Sequence, residues 1–357
     1  MNYLPQSEKI NVRLLGQVFR NTTATYKFYW FLSILELFNT HGDTVLSYRD
    51  LICRMIGKAW FPIHFFRLSF GKADLLASQC LEIQELSHLR IDVKGDELQN
   101  ELYTLYANNT EIHAHILNFG RNVPHWFMSP WFPHCSEKQI VELSQRFVNN
   151  CPYAIFRAPE KHIVINPAWS EYLSENYGIL CDFCYWNLTM FLQRRNPNVP
   201  DIPHKLTPPL ARASLTKQRK YWNVIFEQLG SFPCIYTGRP LAVGDFDLDH
   251  FIPWSFVVHD LMWNLIPADP SINSSKGNRL PSIDGHLLAF AKHQQEGLRI
   301  VSRVCPENDL LEDYLQLGAT IPELTQMSLP TFANLYKKSI MPLYQIAENM
   351  GFARWVM

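Results

Sequence analysis

Proline closes two short apolar runs in the stretch Asp247–Pro281, DLDHFIPWSFVVHDLMWNLIPADPSINSSKGNRLP, and this most limits what the chain can fold into. A proline cannot donate to a β-ladder, so a run that ends on one cannot continue as a long central strand. Phe246, Leu248, Phe251 and Ile252 flank Asp249 and His250 and predict one short strand, stopped by Pro253. Met262 to Pro267 predicts a second, and Asp269 to Gly277 a turn that opens a short helix. Strand, long loop, strand and helix make a small scaffold that gathers side chains from three elements into one place.

The side chains on that scaffold suit phosphodiester hydrolysis with one metal ion. Such a reaction needs a base to deprotonate water and a cation to stabilise the crowded negative charge. His250 supplies the base, because neutral imidazole is available near pH 7. Asp249 and Asn273 offer two hard oxygen ligands of the kind Mg²⁺ or Mn²⁺ accepts while keeping waters and substrate in its other positions. Asn264 carries both donor and acceptor and can pin the loop that aims His250. Lys276, about one helical turn beyond Asn273, is expected to meet the scissile phosphate as a point charge. Singly, each of these residues is ordinarily structural, since an Asp-His pair is common and Asn caps turns. The reading rests on all of them occurring together and in order.

The segment resembles the HNH (ββα-metal) nuclease motif, in the Asp-His…Asn…Asn form of the HNH domain of RNA-guided CRISPR effector nucleases. Asp249-His250-Phe251-Ile252-Pro253-Trp254-Ser255-Phe256 matches the Asp-His, Ile/Val-Pro-x-Ser-Phe pattern. Asn264 matches the middle Asn on the second strand, Asn273 the metal-ligand position and Lys276-Gly277 the pair that follows. The resemblance covers Pro233 to Pro281, about a seventh of the chain. It implies His250 as general base, Asp249 and Asn273 as metal ligands, and Asn264 as the residue that orients the His loop. It also implies DNA as substrate, products with 5′-phosphate and 3′-hydroxyl ends, and an effector role in bacterial anti-phage or restriction systems.

A net charge of −1 does not announce a nucleic-acid binder, but the distribution says more. Between Arg194 and Lys220 seven basic residues (Arg194, Arg195, Lys205, Arg212, Lys217, Arg219, Lys220) face one acid, Asp201, a balance of +6. Just before a phosphodiester-cutting site, such a run is expected to hold backbone phosphates. Arg239 and Arg279, on either side of the motif, are expected phosphate contacts too. Cys181-Asp182-Phe183-Cys184 is a CxxC, but Cys234 and Cys305 are the only thiols flanking the motif, and four zinc ligands cannot be assembled. No structural zinc is expected, and Cys181 and Cys184 are expected to face a helix core. The aromatic cluster Trp60 to Arg67 reads as core or interface before nucleobase stacking.

The fold class expected is α+β and predominantly helical. A helical N-terminal region (1–120) is followed by a mixed α/β connector or docking module (121–200), with strands at Tyr153–Phe156 and His162–Ile165. A basic segment with the nuclease motif (201–282) and a helical C-terminal cap (283–357) complete the chain. No run of about 18 apolar residues suggests a membrane span, and the start lacks a signal pattern, so a cytoplasmic location is expected. A GxxxxGK[ST] loop is missing, which argues against NTPase activity within these residues. The expected function is therefore metal-dependent DNA cleavage, with the N-terminal region binding DNA, sensing a signal or docking a partner such as an ATPase. Two alternatives stay open: a catalytically silent nucleic-acid-binding scaffold, and an HNH nuclease that cuts RNA.

Overall fold

The densest apolar run of the first hundred residues becomes helix α1, Tyr26–His41, in a computed structural model that describes residues 4–119, 123–208 and 213–356, with Asn118 and Phe119 as backbone only. Phe28 to Phe38 of α1 is buried on nearly every side apart from Glu36, as a helix that is apolar all round must be. Gly42, at φ +68°, ends the helix in a left-handed turn that a side chain would oppose. Two compact units form: Met1–Pro197 with Ile202–Pro208, and Asn198–Asp201 with Pro209–Met357.

In the first unit, strand β1 (Val45–Ser47) leads directly into helix α2 (Tyr48–Trp60). The two expected strands, β2 (Tyr153–Phe156) and β3 (His162–Ile165), pair antiparallel as a hairpin. β1 adds to the far side of β3, giving the antiparallel order β1-β3-β2. α1 packs on this sheet, where the Trp30 indole donates to the Tyr153 hydroxyl at 3.0 Å. Trp60, Phe61, Ile63 and Phe66 are buried, so the aromatic cluster belongs to the core. Cys184, on helix α3 (Tyr177–Gln193), is buried with its thiol on the Phe28 carbonyl, and burial pushes that thiol's pKa well up.

In the second unit, helix α4 (Thr216–Leu229) precedes a two-residue pairing of β4 (Phe232–Pro233) with β5 (Pro240–Leu241). Strand β6 (Asp247–His250) then pairs antiparallel with β7 (Leu265–Ala268), Asp249 opposite Ile266 and His250 opposite Leu265. Between them lie a single-turn helix α5 (Trp254–Val257) and a 3-10 turn, Met262–Asn264. After β7 comes helix α6 (Pro270–Lys276), capped by Asp269, whose carboxylate accepts from the Ser271 amide. The expected strand-loop-strand-helix is therefore present. Asn264 closes the 3-10 turn, one residue short of the second strand where the sequence predicts it.

Helix α7 (Ile283–Val304) backs the motif and packs on α4 and on helix α8 (Leu329–Asn349). A Cβ at Gly297 would lie 2.8 Å from Ile225 Cδ1, so α7 and α4 approach more closely than a larger residue permits. The buried Gln294 amide donates to the Leu265 carbonyl at 2.7 Å and to that of Met262 at 3.2 Å, and its oxygen accepts from Tyr314. Tyr336 donates to the Trp263 carbonyl, and Asp313 accepts from the Met262 amide. These helices satisfy backbone groups of a buried turn that would otherwise be orphaned, at about 1–3 kcal/mol each. The structure is 59% helical with small sheets, the helix-rich α+β class the sequence predicts. No helix of the described residues is long and apolar enough to cross a membrane.

Candidate active site

Successive side chains diverge along a strand, and β6 uses this at its end. Asp249 is 3% exposed and sits against α6, while His250, 7% exposed, turns to the loop before β7. The Lys276 ammonium donates to Asp249 Oδ1 at 2.9 Å and to the His250 carbonyl at 2.7 Å. The Tyr236 hydroxyl donates to Asp249 Oδ2 at 2.5 Å, so donors from two other segments grip the carboxylate. Burial, and then the charge of Asp249, push the Tyr236 phenol well above its ordinary range, which keeps it a donor.

His250 Nε2 lies 2.8 Å from Asp260 Oδ1. A carboxylate accepts, so in the neutral ring this pairing assigns the proton to Nε2 and leaves the lone pair on Nδ1. The Gln218 side chain donates to the Asp260 carbonyl at 3.2 Å and so helps fix the loop. Asn264 is fully buried and zips the other side of it. Its amide donates to the Ile252 carbonyl at 2.9 Å, its oxygen accepts from the Ile252 amide at 2.8 Å, and its own carbonyl accepts from Phe251. Asn264 is thus spent on backbone groups of Phe251 and Ile252.

Asn273 is half-buried on α6, and its side chain makes no hydrogen bond among the described residues. Asp249 has one donor on each oxygen, whereas a carboxylate offers about four acceptor sites. One carboxylate with acceptor sites to spare and one amide oxygen without a hydrogen bond are donors of the chemical kind a hard divalent cation accepts beside waters. Among the described residues no three His, Cys, Asp or Glu side chains converge on one point, as an all-protein metal cage would require.

Lys276 departs from its expected place. It is 1% exposed and folded inward on Asp249, so it braces the carboxylate and does not reach out to a phosphate. An inward lysine is held there because an unpaired buried carboxylate would cost several kcal/mol.

The basic residues also sort differently from the expectation. Arg194, Arg195 and Lys205 belong to the first unit, and Lys217, Arg219 and Lys220 to the second. Lys205 is fully buried, which takes it out of any phosphate track. Arg195 stacks on Phe191 at 3.6 Å and donates to the carbonyls of Phe191 and Thr23, and so is committed to its own unit. Arg219 donates to the Phe246 carbonyl at 2.6 Å and lies 3.6 Å from Asp247, just before the motif. Arg239 bridges Asp245 and Asp269, and Arg279 donates to the carbonyls of Ser275 and Lys276. Lys217 is exposed in a pair with Asp309, and Arg194 and Lys220 are exposed. Arg212 lies outside the described residues.

Two residues here have no counterpart in the sequence reading, Asp260 and Tyr236. Asp260 stands ten residues after His250 in a loop without periodicity, and Tyr236 precedes the motif inside the CIYTGRP turn. Only the proximity of that turn to Asp249 in sequence pointed to it. Residues 234–282 match the family model described as HNH endonuclease. No curated protein and no solved structure matches the chain.

Proposed function

Residues 234–282 are those of the HNH endonuclease family, and from that premise we propose that the chain hydrolyses DNA phosphodiester bonds with one Mg²⁺ or Mn²⁺. Nuclease action in general, on a nucleic acid and with a divalent metal, is what the family does. The finer statement rests chiefly on one observation: His250 is held at Nε2 by Asp260, with its other ring nitrogen left as the base.

In this reading His250 Nδ1 takes a proton from the attacking water, and the Asp260 carboxylate stabilises the imidazolium that results. Asp249 and Asn273 would hold the metal, which when bound supplies positive charge to the phosphate and to the leaving oxygen. Lys276 and Tyr236 fix the Asp249 carboxylate in advance, so little reorganisation is left for the reaction itself. The products would carry 5′-phosphate and 3′-hydroxyl ends. Arg219, Lys220 and Arg279, in the same unit as the motif, are proposed as backbone contacts.

An effector role in bacterial defence or restriction belongs to the same proposal, with the first unit sensing a signal or docking a partner such as an ATPase. The test is cleavage of supercoiled plasmid, linear DNA and structured RNA in parallel, each with Mg²⁺, Mn²⁺ or EDTA. Metal-dependent cutting of DNA with RNA untouched is the expected outcome. Cutting of RNA alone would contradict the substrate, and equal cutting in EDTA would contradict the metal. A gene deletion that leaves phage plating unchanged would contradict the defence role.

A further inference from the structure

Tyr236 grips Asp249, and a segment far along the chain grips Tyr236. The backbone of Leu280, just past α6, exchanges two hydrogen bonds with this segment, from the Leu280 amide to Ala353 O at 2.9 Å and from the Trp355 amide to Leu280 O at 2.7 Å. The Trp355 ring, 5% exposed, stands edge-on to Tyr236 with centroids 5.3 Å apart and planes at 86°. Its indole N–H lies 3.4 Å from Ser275 Oγ on α6. His286 completes the cluster, 5.1 Å from Tyr236 and 6.2 Å from Trp355. Phe352 lies edge-on to Phe256 of α5 at 5.9 Å. One short segment thus touches the turn before the motif, the loop inside it and the helix that ends it.

We propose that Phe352–Val356 is a latch that sets the Asp249 carboxylate, with Trp355 and Tyr236 as positioning residues. This rests on reading Asp249 as a metal ligand. The physical argument is one of freedom. A phenol has two torsions, and its hydroxyl meets a carboxylate at 2.5 Å only while the ring is held. Trp355 supplies one wall of that hold. On its other side it lines a cavity of about 570 Å³ with Ile283, His286 and Tyr344, into which the rings can move once the segment lifts. Lifting costs few backbone hydrogen bonds, and segments of that kind open locally without global unfolding. A released Tyr236 leaves Asp249 one donor short, which alters how it meets a cation.

The test is Mn²⁺ affinity of the intact chain, by electron paramagnetic resonance or calorimetry, with melting curves to establish that each variant is folded. Tyr236→Phe keeps the ring and removes only the hydroxyl, and is expected to weaken Mn²⁺ binding by about tenfold. Trp355→Ala is expected to weaken it similarly, and Trp355→Phe to restore most of the loss. Because both act through one contact, the double variant Tyr236→Phe/Trp355→Ala should bind no more weakly than Tyr236→Phe alone. Wild-type affinity in either single variant, or a double variant weakened by the product of the two, overturns the latch. A folded wild type that binds no Mn²⁺ overturns the metal reading instead. The latch is then decided by wild type, Tyr236→Phe, Trp355→Ala and their double variant in denaturant melts, where coupling between the two substitutions supports it and strict additivity overturns it.

Discussion

Among the described residues the most deeply buried carboxylate of each unit is Asp74, at 4% exposure in the first, and Asp249, at 3% in the second. They are satisfied in different ways. Asp74 caps the helix Leu75–Ser87, accepting from the amides of Leu76 at 3.0 Å and Thr25 at 2.6 Å. Burial raises its pKa, and those amides only partly offset the rise. Asp249 instead takes side-chain donors, an ammonium 27 residues away and a phenol 13 residues away. Backbone amides come with any helix start and serve its stability. Side-chain donors brought in from other elements must each be held in place, and they hold a carboxylate in one orientation. Of these two buried acids, the second is the one that side chains from other elements hold in one orientation.

Breaking the Asp249 grip should have the largest effect. Lys276→Met leaves a buried carboxylate without its cation and is expected to cost about 3–5 kcal/mol in urea unfolding. Asp249→Asn and Asp74→Asn then make the same change at both ends of the comparison. The first should lower metal-dependent cleavage by about a hundredfold or more, through loss of the anionic ligand. Asp260→Asn should lower kcat about tenfold with KM unchanged, as expected of a group that orients the base and does not bind substrate.

A further test concerns Asp269, whose bonds from Ser271 and Arg239 lower its pKa to about 2. A folded value below the unfolded one means stability that is present above about pH 4 and lost as pH falls through about 2. Asp269→Asn should therefore flatten the acid limb of the melting temperature between those values. Asp74→Asn should do least to cleavage, leaving it unchanged while costing about 1–3 kcal/mol of stability, since its amide nitrogen cannot accept from the Thr25 or Leu76 amide as a carboxylate oxygen does.

How much of this was legible in the sequence follows from how local each signal is. Pro253 stops the run of the first motif strand and Gly42 ends α1 by its own backbone preference, so these ends were readable, whereas Pro267, expected to close the second strand, lies inside it opposite Leu248. β1 was not readable, because it has three residues and leaves Val45 exposed, and so shows no alternation. The positions of Asp249, His250 and Asn264 in the motif were readable, but not what they touch. Asp260 and Tyr236 acquire meaning only when a loop and a turn close on β6. The basic run shows the limit most clearly. Seven charges in sequence resemble a track, yet Lys205 is buried and Arg195 is bonded to carbonyls, because packing decides which charges remain at the surface.

The central claim is that His250, held by Asp260, is the base of a metal-dependent nuclease. Nicking of supercoiled plasmid by wild type and by His250→Ala, at low salt with Mg²⁺, Mn²⁺ or EDTA, tests it most directly. The account predicts cutting by wild type that needs the metal and falls by about 10²–10⁴-fold in a variant that melts as wild type does. Cutting that persists in folded His250→Ala would contradict it.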